Sequence, residues 1–436
     1  MEKILVIQFV FEPTIFMIKI DKLFFKNFSI YFLGLCFSGL VSFLTIPAII
    51  KFYGIQDYGK FSLLQNIVLI FISFGGGWLN QCVLRFNDHS QNFKFKIFQL
   101  YFFLIIPLII LYVIVMMTFK IDLFLCLFGI LTIILGVISL ISITFFQSSL
   151  NARKSFYFDL IRVLSFVFSI YILYIVLPNS DSLYLLIFSL FFSYFISFTY
   201  ILFIDFHFIR SVIMLFLKKN SLKNNLKLVT ESKYLFNYGW PIAFWFTVAS
   251  VLNVSDRYII SHYSTTNDLG IYSAIYDLLY KGVTLLYSPI LVAGYPIMTQ
   301  KFNQGFKQDA FKFLRKLIFF EFIIFFIVIL ITCFFKVFFI EKIVGIAVTH
   351  KSLDIIVPII CGAFVWQLSM LIHKPLEFGL KSKTMLLIVI ISLLFNVVLN
   401  LIFIPSYGIL FAAYSTLFSA LIYLLLSLVF IQVYKK

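Results

Sequence analysis

Apolar runs of about 20 residues, separated by short polar gaps, recur from residue 28 to the end of the chain, and that length fits a helix crossing the hydrocarbon core of a bilayer. In lipid every backbone N–H and C=O needs an internal partner, so only helices or closed barrels can span. Barrel strands would show as alternating segments of roughly 10 residues, a pattern these continuous runs lack. The runs begin near Phe28, Phe61, Ile97, Leu123, Phe158, Leu183, Phe236, Ile271, Leu317, Leu353, Thr384 and Ile409, which predicts an all-α integral membrane protein of twelve spans. Pro47, Gly75 to Gly77, Pro107, Pro289 and Pro358 fall inside runs. Spanning helices tolerate such breaks where neighbours re-satisfy the backbone, and bent helices suit a protein that rocks between states.

The polar gaps carry the charge. With the N-terminus inside, the inner segments hold Lys3, Lys19, Lys22 and Lys26; Arg85, Lys94 and Lys96; Arg153 and Lys154; Arg210, Lys218, Lys219, Lys223, Lys227 and Lys233; Lys301, Lys307, Lys312, Arg315 and Lys316; Lys374, Lys381 and Lys383; and Lys435 and Lys436. The outer segments hold Lys51, Lys60, Lys120, Lys336, Lys342 and Lys351. The bias is roughly four to one for the inside, which places both termini in the cytoplasm. Topology therefore accounts for most of the net charge of +16, and no nucleic-acid partner is needed to explain it. Composition agrees: 62% of the 436 residues are hydrophobic and 12% charged, against about 25% charged in soluble domains. Mean hydropathy is +1.07. The five cysteines (Cys36, Cys82, Cys126, Cys333, Cys361) stand singly in apolar runs without metal or redox spacing, as buried inert thiols do.

Residues 1–16 are apolar but interrupted by Glu12-Pro13 and lack a small-residue cleavage site, so they do not read as a signal peptide. Met17 to Lys26 form a basic lead-in to the first span, which makes Met17 an alternative start and residues 1–16 a doubtful extension. The longest polar connection, 210–235, separates an N-lobe (17–209) from a C-lobe (236–436), each with six spans. The lobes share a turn: Asp57-Tyr58-Gly59-Lys60-Phe61-Ser62 follows span one, and Asp268-Leu269-Gly270-Ile271-Tyr272-Ser273 follows span seven. Repeated halves mark a two-lobed transporter with a central site. Six spans per half give both the same orientation, hence a pseudo-two-fold axis along the membrane normal.

Three stretches carry a family resemblance. The first runs from Gly39 through Pro47, Gly54 and Asp57 to Ser62, and on through Gly75 to Gly77 as far as Arg85. The second contains Tyr238, Gly239, Trp240 and Pro241, then Asp256 to Ile260, then Asp268 to Ala274, ending at Tyr295-Pro296. The third contains Asn396, Asn400, Pro405, Tyr407, Gly408, Ala412 and Ala413. In this order the chain resembles the Wzx-type O-antigen and polysaccharide-precursor flippases of the multidrug/oligosaccharidyl-lipid/polysaccharide exporter superfamily. The resemblance implies a two-lobe fold with alternating access and an isoprenoid-pyrophosphate-linked oligosaccharide as substrate. It also implies a polymerase and other polysaccharide-assembly proteins as partners, and no cofactor.

Such a substrate needs cations for its pyrophosphate, and cations inside membrane segments are the first candidates. Arg85 ends span two, as a pyrophosphate receptor or a positive-inside anchor. Arg257, beside Asp256 late in span seven, reads as gate, cavity group or structural ion pair. Asp277 and Lys281 share a helix face at i,i+4, so they either neutralise each other or line the cavity, with Lys281 toward phosphate or glycan and Asp277 toward a coupling proton. Arg162 follows Asp159 at i,i+3, again able to pair locally. Substrate binding is thus assigned to Arg85, Arg162, Arg257 and Lys281, and coupling or gating to Asp256 and Asp277. Glu321 is expected in a salt bridge to Arg315 or Lys316. His373, Lys374 and Glu377 are expected in a loop, and Asp205 and His207 close span six. The 60 Phe and 24 Tyr read mostly as lipid-facing and interfacial bulk, with Trp240 and Trp245 as possible sugar platforms.

No catalytic, metal or phosphate-loop motif is present in the sequence. Direction must then come from an ion gradient or from consumption of the substrate downstream. Two alternatives stand beside the flippase. A cation-coupled multidrug antiporter of the same superfamily generally carries an acid in its first span, and Phe28 to Ile50 has none. A membrane polysaccharide polymerase needs a large outer loop, and the longest here, Phe339 to Ser352, is short.

Overall fold

The computed structural model describes residues 22–86, 91–148, 152–178, 180–204, 233–346 and 348–435, apart from some side chains within helices, Arg85 among them. The N-terminal extension, nearly all of the basic linker, and Asp205 and His207 lie outside the described residues.

Among the described residues the chain is helical throughout. The first half comprises α1 (Lys22–Tyr53), α2 (Ile55–Phe86), α3 (Gln91–Thr118), α4 (Leu123–Ser148), α5 (Ala152–Val176) and α6 (Ser182–Ile204). The second comprises α7 (Lys233–Leu252), α8 (Ser255–Tyr263), α9 (Thr266–Asn303), α10 (Lys307–Phe338), a π-turn (Phe339–Val344), α11 (His350–Asp354), α12 (Ile356–Ile372), α13 (Lys374–Phe378), α14 (Ser382–Tyr407) and α15 (Ile409–Lys435). Among the described residues ten segments are long and apolar enough to cross a membrane, α7 and α8 together forming one and α10 running on through the π-turn. Two further long helices, α1 and α9, run beside them. The 38 residues of α9 extend about 57 Å at 1.5 Å per residue. This helix is less apolar because protein, rather than lipid, surrounds its polar face: Leu269, Tyr272, Ser273, Tyr276, Asp277 and Tyr280 are all buried.

The same packing partners recur in both halves. α2 lies on α4, α4 on α6, α5 on α6, and α1 on α5; correspondingly α9 lies on α12, α12 on α15, α14 on α15, and α7 on α14. The halves meet where α2 packs on α7 and α9, and α1 on α9. Along the α2–α7 crossing the chains run antiparallel. Trp78 covers Gly239, where an added Cβ would lie 2.1 Å from the indole, and Phe74 meets Phe244 edge-on. Small residues of this kind let spanning helices approach closely.

Outer faces are the reverse of a soluble protein's. On α10, Ala310, Leu314, Ile318 and Glu321 are buried at helical spacing, while Phe319, Phe320, Phe326, Phe334 and Phe335 are each more than half exposed. A stripe of bare phenylalanine on this scale is stable against acyl chains and not against water.

Candidate functional site

The seventh span is broken. The regular α-helix ends at Leu252: the Asn253 N–H still reaches the Ala249 carbonyl at 3.2 Å, but the Val254 N–H shifts to the Val251 carbonyl at 3.1 Å, and α8 restarts with Ser255, Asp256 and Arg257. The break lets three consecutive polar side chains leave the helix in different directions, all of them at most 6% exposed. Asn253 itself accepts a hydrogen bond from Tyr280 of α9 at 2.9 Å.

Arg257 reaches α9 and forms a two-pronged pair with Asp277, Nη2 to Oδ1 at 2.7 Å and Nη1 to Oδ2 at 3.3 Å. Its guanidinium lies 5.0 Å from the centre of the Tyr276 ring. Nη1 also donates to Ser62 of α2 at 2.5 Å, and the Tyr58 hydroxyl of α2 donates to Asp277 Oδ2 at 2.6 Å. Next to the pair, Tyr258 donates to the backbone carbonyl of Leu63 at 3.1 Å. Residues from one half thus close over a buried ion pair supplied by the other. Lys281, half exposed, approaches Asp277 Oδ1 at 3.1 Å. Two cations therefore converge on one carboxylate. This fork-shaped geometry offsets part of the cost of taking the charges out of water, and it makes removal of one partner costly.

Backbone contact accompanies the side chains. Gly59 and Gly270, the glycines of the repeated turn, face each other: an added Cβ on Gly59 would lie 3.1 Å from the Gly270 nitrogen. One on Gly270 would lie 2.4 Å from the carbonyl oxygen of Ile55. No side chain fits between the two turns while they remain closed.

Asp256 turns the other way. It takes the Arg257 backbone N–H at 2.8 Å, the hydroxyl of Tyr272, and that of Thr416 on α15 at 3.3 Å. Around it Ser255 donates to Asn396 at 2.8 Å, Asn400 to Asn396 at 2.9 Å, and Ser415 to Asn400. Asn396, one residue from Asp256 through Ser255, also reaches Ser419 at 3.3 Å. The α8–α14–α15 junction is thus a closed polar network within apolar helices.

The sequence candidates separate accordingly. Arg257, Lys281 and Asp277 come together, and Asp256 adjoins them without pairing to the Arg257 side chain. Arg162 sits on α5 with Asp159 at 3.7 Å and with the Tyr194 ring at 5.5 Å, both contacts within the first half. Arg85 falls on the last turn of α2, with its side chain outside the description. Two expectations are corrected. Glu321 makes no salt bridge: it is fully buried and neither carboxyl oxygen has a hydrogen-bond partner, because its helix turns it inward away from the basic end. His373, Lys374 and Glu377 form no loop. They occupy the α12–α13 junction, where buried His373 meets the Tyr423 hydroxyl at 3.0 Å and Lys374 pairs with Glu377 at 2.5 Å. Trp245 is occupied in that same cluster, its indole N–H donating to Tyr423 at 3.1 Å. The charge-neutral members Tyr58, Ser62, Tyr272, Asn396 and Asn400 escaped assignment to the site. The signal for the last two was present as an Asn pair at i,i+4 in an apolar helix.

The sequence matches the family described as polysaccharide biosynthesis protein over residues 24–302. No curated protein matches it. Among solved structures, the lipid II flippase MurJ in an inward closed conformation is 15% identical, with a TM-score of 0.64 over 92% of this chain and 87% of that one. An outward-facing multidrug resistance MATE family transporter of the MOP superfamily is 12% identical, with a TM-score of 0.62 over 95% and 96%. The Vibrio cholerae MATE transporter VcmN is 11% identical, with a TM-score of 0.62 over 94% and 97%. At such identities these likenesses establish a shared fold.

Proposed function

Since the chain belongs to the polysaccharide biosynthesis protein family, we propose that it is a flippase. It moves an isoprenoid-pyrophosphate-linked oligosaccharide from the cytoplasmic to the outer face of a bacterial inner membrane, for O-antigen or other surface polysaccharide. Its two lobes, 17–209 and 236–436, carry six spans each, with both termini inside. In this orientation the Arg257–Asp277 pair lies toward the outer face.

The observation that carries the proposal is the buried ion pair Arg257–Asp277, closed by Tyr58 and Ser62 from the opposite half. It acts as an outer latch. While closed, it bars the glycan from the outer side, and the lobes can separate only toward the cytoplasm. Opening requires new partners for Arg257 and Asp277. Lys281 keeps one for the carboxylate, and the substrate pyrophosphate supplies two oxygens of the right spacing for the guanidinium. Arg162 and Arg85 serve the entering headgroup on the other side, and the isoprenoid tail stays in the bilayer beside the lobe seam. Asp256, at the broken seventh span, gates the movement of α8 against α14 and α15.

The multidrug antiporter is the second reading, favoured by the fold shared with MATE transporters. One experiment separates them. The purified chain is reconstituted in vesicles carrying a fluorescent isoprenoid-pyrophosphate glycan, and the glycan's accessibility to an external glycosidase is followed. The flippase reading expects protein-dependent exposure, lost in R257A. Cation-driven efflux of a dye such as ethidium, with no glycan movement, would instead favour the antiporter.

A further inference from the structure

Glu321 stands apart from every other buried acid described. Asp256 and Asp277 are hydrogen-bonded on both oxygens, whereas Glu321 is 0% exposed and both of its carboxyl oxygens are unpartnered. It lies about 21 Å along α10 from Lys307 and about 26 Å from Phe338, so it sits near the middle of the helix and about one turn into the apolar run that begins at Leu317. The position belongs to the buried stripe Ala310, Leu314, Ile318. A leucine there would continue the stripe and leave nothing unsatisfied, so packing alone does not call for a carboxyl.

Its surroundings are aromatic and uncharged. From α9, the Tyr287 hydroxyl donates to the Glu321 backbone carbonyl at 3.0 Å, which leaves the carboxyl without a donor. From α12, Phe364 stacks on Phe325 at 4.0 Å and meets Phe322 edge-on, one turn from Glu321. Gln367 of α12 is engaged with Thr284 of α9 at 3.0 Å. The nearest charges on α9, Lys281 and Asp277, pair with each other and begin six residues from Tyr287, about 9 Å along the axis. On α12 the nearest titratable side chain at the inner end, His373, is engaged with Tyr423. On α10 itself Arg315 and Lys316 lie more than a turn away, and beyond the helix Glu341 pairs with Lys342. An ionised carboxylate in such a place has neither counter-ion nor donor, and a group so placed neutralises instead.

We infer that Glu321 is a proton-binding site of the transport cycle, loaded in the closed conformation and unloaded when α10 moves away from α9 and α12. Loading forms one O–H bond on the carboxylate with a proton from water. Unloading returns that proton to water admitted between the helices, restoring the carboxylate. α9 links the two sites mechanically, since it carries both Tyr287 and the latch carboxylate Asp277. Release at Glu321 therefore accompanies opening of the latch. The inference rests on the latch proposed above, but its test needs no substrate.

Two measurements on the full chain in phosphatidylethanolamine–phosphatidylglycerol vesicles decide it. Infrared difference spectroscopy is expected to show, at neutral pH, the carbonyl stretch of a protonated carboxylic acid at the high-frequency end typical of one without hydrogen bonds. That band should be absent in both E321Q and E321L; the leucine variant continues the apolar stripe and guards against misfolding of the amide. Spin labels at positions 60 and 263, in a background free of the five native cysteines, then report the latch distance. In the wild type the long-distance population should grow severalfold from mildly acidic to alkaline pH, and in both variants it should stay constant. Absence of the band, or a pH response that survives in E321L and E321Q, overturns the inference. Failure of glycan movement with both results intact would overturn only the substrate reading.

Discussion

The two halves of the molecule carry the same turn and use it differently. When the Asp-x-Gly turns at Asp57 and Asp268 are aligned without gaps, Asp256, Arg257, Asp277 and Lys281 of the second half correspond to Thr45, Ile46, Asn66 and Ile70 of the first. Thr45 satisfies itself on the Val41 carbonyl of its own helix, and Asn66 reaches only Ser62 at 3.5 Å. Phe61 stacks on Phe166, whereas its counterpart Tyr272 donates to Asp256. Every charge of the latch therefore lies on one half, and the other contributes hydroxyls and a close-fitting backbone. The asymmetry gives the closed state a single buried pair to neutralise. In the proposed cycle, parting the halves would bare a charged face on the second half and a neutral one on the first.

Breaking the pair should have the largest effect. R257A leaves Asp277 with Lys281 as its one cation, and removal of one member of a buried pair costs about 3–5 kcal/mol. Thermal unfolding in detergent should register the loss, and glycan movement should fall more than tenfold. The double variant R257L/D277L should recover much of the stability while leaving movement impaired, because packing replaces charge but nothing then releases the latch. A wedge comes next. G270A places a methyl against the Ile55 carbonyl, so cysteines at positions 60 and 263 should cross-link several times less than in the parent, whereas G59A, with a 3.1 Å approach, should act more weakly. Y58F removes one donor from Asp277 and should cost about 1–2 kcal/mol in the same unfolding assay, with movement slowed only a few-fold. Smallest of all, K60A removes the exposed partner of Asp57 at 3.6 Å and should leave both assays unchanged. Equal effects of Y58F and R257A would show that the two halves share the latch evenly and would undo the comparison.

Much of this architecture is written in the hydrophobic pattern. The runs beginning at Leu123 and Ile409 start where α4 and α15 start, because the polar gap before each is short and sharp. The boundary of α9 is less legible. Its apolar run begins at Ile271, yet the helix starts at Thr266: Thr266 and Asn267 are exposed polar residues of its first turn, and Leu269 and Gly270 are already buried, Gly270 against Ile55 of the opposite half. The break at Asn253 left no Pro or Gly to announce it. At the site, Arg257 and Asp277 stood out because charge in a spanning segment is rare. Their pairing did not, for twenty residues separate them and only tertiary packing brings α8 onto α9. Tyr58 and Ser62 were visible as members of a repeat but carry no charge. Glu321 was misassigned because nearness to Arg315 and Lys316 along the chain says nothing of the helix face it occupies.

The most direct test of the central claim is made in cells lacking the gene. Their isoprenoid-linked lipids are extracted, and the sidedness of the complete glycan repeat is determined by protection from an added glycosidase in spheroplasts. The account predicts that the finished repeat accumulates on the cytoplasmic face, that the intact gene relieves the accumulation, and that R257A does not. A repeat that reaches the outer face unaided, or relief by R257A equal to that by the intact gene, would contradict it.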